Sequence, residues 1–281
     1  MPLVSCKNML IRAREEGYGV GSFNIFNMES AQAIVRAAEE ERAPVMLQIW
    51  SGFDPAPGLA MLGAIAITQA KRASVPVAVH LDHGATLSQV GVAVASGFTS
   101  VMLDGSALPL PENIAITRTI KEFCVNAGIP VEGEIGHVGG SEGSECEDAG
   151  IYTDPDEAEE FAKKTGADMV AVSIGTSHGH YAKRPELNIA LLRQIAKKVN
   201  VPLVLHGSSY TPDEQLQQAV KNGISKINVA TELSDAMIQA ALALPRDAKI
   251  QYANQLTDAP YARMCEVVRH KIRLFGGNDK A

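Results

Sequence analysis

Eight short apolar runs, each set off by amphipathic sequence, constrain this chain of 281 residues more than any other feature. They occupy residues 21–25, 45–49, 77–81, 100–104, 130–134, 169–173, 202–206 and 226–230. Short apolar runs of this kind predict strands of a buried parallel sheet. The last seven begin 23 to 39 residues apart, which is a βα rhythm. Segments 30–42, 111–127, 155–165 and 212–222 between them read as amphipathic helices. Several open on a polar cap or on Pro followed by an acid. Gly128, Gly166 and Gly223 close helices just ahead of the next strand, as left-handed C-caps do. Eight such units close most economically into an α/β fold of the (β/α)8 type, a TIM barrel, which usually takes ~250 residues. An open doubly wound sheet is the alternative, but no Gly-x-Gly-x-x-Gly follows the first strand. Residues 1–281 are therefore expected to form a single barrel domain, with 245–281 as a helical C-terminal extension carrying Met264, Val267, Val268, Ile272 and Leu274. Residues 136–152, rich in Gly, Ser and Glu, read as a mobile loop over one end of the barrel.

Composition narrows the partners. A net charge of −7 with no basic block argues against nucleic acid or an anionic membrane as the main partner. Cys6, Cys124, Cys146 and Cys265 are scattered without a Cys-x-x-Cys pair, which suits reduced thiols. With no basic-then-apolar leader pattern and no apolar run of membrane-spanning length, a cytoplasmic protein is expected.

Polar residues interrupt the apolar runs at one end. In a barrel enzyme the site forms at the C-terminal ends of the strands. Those ends carry Asn24, Asp82, His83, Asp104, Glu134, His178, His206 and Asn228. Alternation sends His80 and Asp82 of the run 79–84 to one face and Leu81 and His83 to the other. At the strand's end the chain is already turning, so His83 is free to bend toward the site. His83, His178 and His206, from the third, sixth and seventh strands, suffice for a catalytic zinc with an open coordination position. The plainer alternative makes each a satisfied polar residue in its own loop. Glycines and hydroxyls follow the same strand ends, in Gly175-Thr-Ser-His-Gly179, His206-Gly-Ser-Ser209 and Asn228-Val-Ala-Thr231. Loops after the seventh and eighth strands of barrels often bind phosphate.

These motifs make the chain recognisable. It resembles the class II, metal-dependent fructose- and tagatose-bisphosphate aldolases. The match runs through Phe23-Asn24, His80-Leu-Asp-His83, Leu103-Asp-Gly-Ser106, Glu132-Gly-Glu-Ile-Gly136 and Gly139-Gly140. It continues through Gly175 to Gly179, Leu205-His-Gly-Ser-Ser209 and Asn228-Val-Ala-Thr-Glu232, covering about residues 20 to 235 in order. The short intervals and Asn-Val-Ala-Thr look more like the tagatose-bisphosphate branch. The resemblance implies His83, His178 and His206 as zinc ligands, with Asp104 and Glu134 at an alternative or second metal position. It implies Asp82 as the acid–base group on the aldehyde oxygen and Glu142 as the loop carboxylate that exchanges a proton on carbon. It implies that Asn24, Gly179, Gly207, Ser208, Ser209, Asn228, Val229, Ala230 and Thr231 hold the substrate, with Na+ or K+ often nearby. His80 looks like a support for the ligands, and His180 like a loop residue. A phosphorylated ketose as substrate and a homo-oligomer, dimer or tetramer, follow from the same likeness.

The chemistry agrees with the residues. Aldol cleavage next to a ketone leaves an enolate, which a divalent metal stabilises as a Lewis acid. A Schiff-base aldolase would need lysine, and Lys226 starts its strand, so it is expected at the opposite end of the barrel. A metal-dependent sugar-phosphate epimerase or isomerase, or a silent sugar-phosphate-binding member, are the rival functions. The substrate is where the chain departs from its relatives. The family commonly has a phosphate-holding serine after the second strand. Here Trp50 stands at or beside it, with Ser51 next, and Tyr210 follows His-Gly-x-Ser. Either Trp50 replaces the serine, or it faces the barrel wall and Ser51 takes the phosphate. The first reading points to a ketose 1-phosphate whose distal end is not the usual 6-phosphate.

Overall fold

The computed structural model describes residues 2–56, 58–146, 150–245 and 250–281, with the backbone alone for 141–146. Among these residues the strands are β1 (Val20–Asn24), β2 (Val45–Trp50), β3 (Val77–Gly84), β4 (Ser100–Leu103), β5 (Val131–Ile135), β6 (Gly139–Cys146), β7 (Met169–Val172), β8 (Ser177–Tyr181), β9 (Leu203–Leu205) and β10 (Ile224–Val229). Eight of them close in the order β1-β10-β9-β7-β5-β4-β3-β2, all parallel, as a TIM barrel. The helices are α1 (Cys6–Glu16), α2 (Met28–Glu40), α3 (Leu59–Arg72), α4 (Leu87–Ala95), α5 (Leu110–Val125), α6 (Pro155–Thr165), α7 (Ile189–Lys198), α8 (Asp213–Lys221), α9 (Thr231–Leu242) and α10 (Asp258–Leu274). None is long and apolar enough to cross a membrane.

Local chemistry sets the helix ends. The Asn27 side chain accepts from Ser30 N at 2.9 Å, and Ser30 returns the bond, so α2 starts in a reciprocal cap. Asp154 caps α6 ahead of Pro155, and Asn188 caps α7. All three expected glycines have positive φ, but only Gly166 is itself the cap; Asn126 and Asn222 take that place on α5 and α8.

Two expectations change. Residues 136–152 are not simply a loop, because β6 lies within them and pairs in parallel with β8 as a separate two-stranded ribbon. Paired backbone satisfies the polar groups that a long irregular loop would leave to water. Among the described residues of 245–281, the α-helix is α10, after a short 3-10 turn at Ala253–Thr257. Helix α10 buries Met264, Val267, Val268 and Ile272, and it packs against α2 and α9.

Strand alternation divides the interior in two. Phe23, Leu47, Ile49, Val77, Val79 and Leu81 face the helices in one continuous core. Val20, Met46, Ala78, Met169, Ala171 and Val204 face the barrel axis and meet Cys6, Met9, Leu10 and Ala13 of α1 in a second, smaller cluster. Helix α1 thus plugs the N-terminal end of the barrel with apolar side chains. Cys6, Cys124 and Cys265 are free and buried, and burial pushes the Cys6 thiol up to about 12, so it stays protonated.

Asp168 fastens that end. Its carboxylate accepts from Val131 N at 2.9 Å, from Lys7 of α1 at 3.0 Å and from Lys121 of α5. Burial alone would raise its pKa, but Lys121, the Val131 amide and Lys7 together hold it below the usual carboxylate range. Asp168→Asn is expected to lower unfolding free energy by about 1–3 kcal/mol at pH 7, the scale of charge-assisted hydrogen bonds. The folded pKa is depressed, so the contribution is full above the unfolded value of about 3.9 and fades as pH falls through the folded one. Urea midpoints of both proteins should therefore converge in acid. A gap that does not change with pH would contradict the assignment.

Candidate metal centre and active site

The third strand bends its second histidine into the barrel. Regular alternation in β3 would point His83 at the helices. Instead its φ is +46°, in the left-handed region, and the ladder with β4 slips between Leu81 and Gly84. This bulge re-aims the side chain. Gly84 is required beside it, since a Cβ there would lie 2.4 Å from the Met102 carbonyl oxygen. His178 comes from β8 rather than from the end of a barrel strand, and His206 lies directly beyond β9. The ring centroids of His83 stand 4.9 Å from His178 and 4.6 Å from His206. Ligand atoms of His83, His178 and His206 all lie within 4.8 Å of one another, as do those of His83, Asp104 and Glu134.

Carboxylates behind two of the rings decide which nitrogens face the centre. His83 Nδ1 is 2.8 Å from Asp104 Oδ2, and His206 Nε2 is 2.7 Å from Glu132 Oε1. Donation on those sides turns His83 Nε2 and His206 Nδ1 to the centre, where a bound metal would take the place of a proton. Both atoms are buried without a hydrogen-bond partner, and so is Glu134 Oε2. His206 Nδ1 and Glu134 Oε2 are 3.0 Å apart but out of hydrogen-bond geometry. Orphaned buried acceptors with carboxylate-backed imidazoles are what a divalent cation site provides, and the residues fit one. The field agrees. Burial alone would lower the His83 pKa, but Asp82, Asp104 and Glu134 outweigh it and push it up to about 10. His206 is raised against burial by Glu132 and Glu134. His178 is lowered by burial and by the other two imidazoles, which keeps it neutral.

Beneath the histidines lies a buried charge pair that the sequence reading placed elsewhere. Strand β10 begins at Ile224, so Lys226 is inside the barrel and not at its opposite end. Its Nζ is 2.9 Å from Glu132 Oε2, and both side chains are fully buried. His80, likewise buried, is 2.8 Å from Ser100 Oγ and 3.6 Å from Glu132. Lys226 is therefore held by a carboxylate below the mouth, and the lysine expected to be remote is a structural partner of His206.

Asp82 reaches the mouth from the inward face of β3 and is 2% exposed. It accepts from Asn228 Nδ2 at 3.1 Å and from Gln48 Nε2 at 3.3 Å, and it stands 4.0 Å from His83 Nε2. Gln48 also donates to Asn24 and accepts from Ser22, so a row of amides orients the acid. Gln48 and Glu132 are functional neighbours that the sequence reading passed over. Each was visible as a polar residue inside an otherwise apolar run. The side chain of Glu142 lies outside the described residues; its backbone belongs to β6.

The expected phosphate cradle comes together beside these groups. Gly207 has φ +63°, and a Cβ there would meet the Ser177 carbonyl oxygen at 2.4 Å, so the loop after β9 lies directly on β8. Tyr181 Oη donates to Gly207 O at 2.6 Å. Ser208 bonds the Asn228 carbonyl, and Ser209 Oγ accepts from Ala230 N and Glu232 N at the start of α9. Gly179, Val229, Ala230 and Thr231 sit on the same rim, Gly179 at φ +86°. His180 is a strand residue of β8, with Nε2 2.7 Å from Asp235. At the other side Ser51 is buried and donates to the His83 carbonyl, while Trp50 packs edge-on against Phe53.

A parallel barrel with imidazoles and carboxylates gathered at the C-terminal ends of its strands defines a metal-site barrel enzyme. The family model described as "Fructose-bisphosphate aldolase class-II" matches residues 4–280. The fructose-bisphosphate aldolase of Staphylococcus aureus (strain Mu50) is 38% identical over 289 residues, covering 100% of both chains. That of Staphylococcus epidermidis (strain RP62A) is also 38% identical over the full length of both. The crystal structure of the YdjI aldolase from Escherichia coli K12 superposes with a TM-score of 0.86 at 33% identity, covering 99% of each chain. The chain belongs to the class II fructose-bisphosphate aldolase family, and its reaction class is that of a carbon–carbon lyase.

The buried pair yields a stability test. Lys226→Met should destabilise the fold by about 3–5 kcal/mol, because Glu132 is left as an uncompensated buried charge. Adding Glu132→Gln should recover part of that loss. Denaturant midpoints of the single and double variants check it, and strictly additive losses would show that the two groups do not act as a pair.

Proposed function

We propose that this chain reversibly cleaves a ketose 1-phosphate or ketose bisphosphate into dihydroxyacetone phosphate and an aldehyde, with one zinc ion on His83, His178 and His206. The observation that carries this reading is the pair of inward, unpartnered ring nitrogens, His83 Nε2 and His206 Nδ1, each set by a carboxylate on the ring's other nitrogen. When bound there, a divalent cation supplies Lewis-acid polarisation of the oxygens beside the bond that breaks, favouring an enolate. The protein's own groups do the rest. Asp82, held by Asn228 and Gln48, takes the proton from the hydroxyl whose oxygen becomes that of the aldehyde in cleavage and returns it to that oxygen in condensation. Glu142 is our choice for the proton on carbon. Asp104 and Glu134 are proposed as an alternative or second metal position, their ligand atoms grouping with that of His83.

The phosphate of the triose half is assigned to Gly179, Gly207, Ser208, Ser209 and residues 228–231, where glycine backbone and the N-terminus of α9 meet. Asn24 is assigned to the sugar, and Na+ or K+ to the neighbourhood of the phosphate. The chain is read as one catalytic domain working in the cytoplasm as a homo-oligomer, dimer or tetramer.

Release of triose phosphate from a ketose phosphate, followed by a coupled dehydrogenase, tests cleavage. An epimerase would convert the sugar without releasing triose. Asp82→Ala should lower turnover by about 100-fold or more, the usual scale for a general acid–base group, while zinc content stays near wild type. Loss of the metal together with activity would instead make Asp82 a ligand.

A further inference from the structure

The chamber beside Asp82 has a wall that the aldol step itself does not use. Phe26 and Trp50 each meet Phe53 edge to face, with centroids 6.1 and 5.5 Å apart. The indole lies over Gly52, where a Cβ would come within 2.4 Å of it, so its position is set by the chain. These three rings, with Asn24, His180 and Asp235, form one side of a cavity of about 260 Å3, whose other side is Ala230, Thr231 and Ser234 at the rim assigned to the triose phosphate. Among the described residues no lysine or arginine lines it. A carboxylate does: Asp235 lies 2.7 Å from His180 Nε2 and accepts from Tyr210 Oη at 2.5 Å. Arg184 lines the adjoining cleft beyond His180 and Tyr210, and there it is paired with Glu214 at 2.6 Å. The Ser51 hydroxyl is turned away, donating to the His83 carbonyl.

We propose that this chamber takes the carbon chain of the aldehyde half and selects substrates whose distal end carries no phosphate. The inference rests on the aldolase reading above. Asp82 serves the aldehyde oxygen in that reading. Trp50 is the direct neighbour of Asp82 across the β2–β3 ladder, and Asn24 is bonded to the same Gln48 that holds Asp82. A carbonyl carbon held at Asp82 therefore carries its substituent toward the aromatic wall. With the triose phosphate on the rim at 230–231, a second phosphate dianion at the aromatic side would exchange water for ring faces, one indole N–H and a like-charged carboxylate. A hydroxylated chain instead lays its C–H groups on the rings and donates its hydroxyls to Asp235. Trp50 and Asp235 thus act as specificity residues: one removes the place for a phosphate and the other repels it.

Condensation kinetics with dihydroxyacetone phosphate test this directly. The probes are glyceraldehyde and glyceraldehyde 3-phosphate, compared by kcat/KM in wild type, Trp50→Ala and Asp235→Asn. Wild type should favour glyceraldehyde. Asp235→Asn should shift the ratio toward the phosphorylated aldehyde by about tenfold, equivalent to about 1.4 kcal/mol, and Trp50→Ala should shift it the same way. A ratio does not depend on the fraction of enzyme folded, so poorly folding variants still report. Preference of wild type for glyceraldehyde 3-phosphate, or a ratio unmoved in both variants, would overturn the proposal. Deuterium exchange from solvent into dihydroxyacetone phosphate separates the two levels. Exchange with a preference for the phosphorylated aldehyde sinks the chamber alone, and no exchange with no condensation sinks the aldolase reading with it.

Discussion

A carboxylate with no access to water, Glu132, sits at the middle of the barrel and joins its two functions. One oxygen is 2.9 Å from Lys226 and the other 2.7 Å from His206. A lone buried carboxylate would protonate rather than stay charged. Burial does push Glu132 in that direction, but Lys226, His80 and His206 together hold its pKa well below the usual range. Because it stays ionised, Glu132 fixes the proton of His206 on Nε2 and turns Nδ1 to the mouth. A buried ion pair is weak as a source of stability. Its value here is orientation, and the lysine that a covalent aldolase would use as a nucleophile is spent on keeping that carboxylate charged.

The interior is graded along the barrel axis for the same reason. Helix α1 and the first inward residues of the strands make an apolar plug. Above it come Ser22, Gln48, His80, Glu132 and Lys226, all buried and polar. His83, His178, His206, Glu134 and Asp82 form the layer above these. Glu132 joins Lys226 in its own layer to His206 above, while His83 Nε2, His206 Nδ1 and Glu134 Oε2 in the top layer have no hydrogen-bond partner among the described residues. The bulge at His83 adds one imidazole to that layer which plain alternation would have sent to the helices.

Much of this was legible in the chain. The βα spacing gave the barrel, and the polar residues at strand ends gave the cluster, because inward residues at one height of a parallel barrel must converge. Motif likeness added the roles. Other features depended on backbone geometry that spacing does not encode. The pairing of β6 with β8 places His178 on a ribbon outside the barrel wall, which a count of strands cannot show. The apolar run 226–230 puts Lys226 at a strand start, but β10 begins two residues earlier, and one further turn of the pleat changes which layer a side chain reaches. In the sequence Trp50 and Ser51 are alternatives for one task. In the structure Trp50 lines the chamber and Ser51 is committed to a carbonyl, so neither offers a hydroxyl there.

The central claim is that three imidazoles from β3, β8 and the end of β9 converge on one cation. Titration of the metal-free protein with Co2+, followed by visible absorption, measures this without any substrate. One equivalent should develop the d–d bands of a low-coordinate cobalt site with nitrogen ligands, and His83→Ala, His178→Ala and His206→Ala should each abolish or strongly weaken them. Stoichiometric bands that persist unchanged in any one of the three variants would contradict the account.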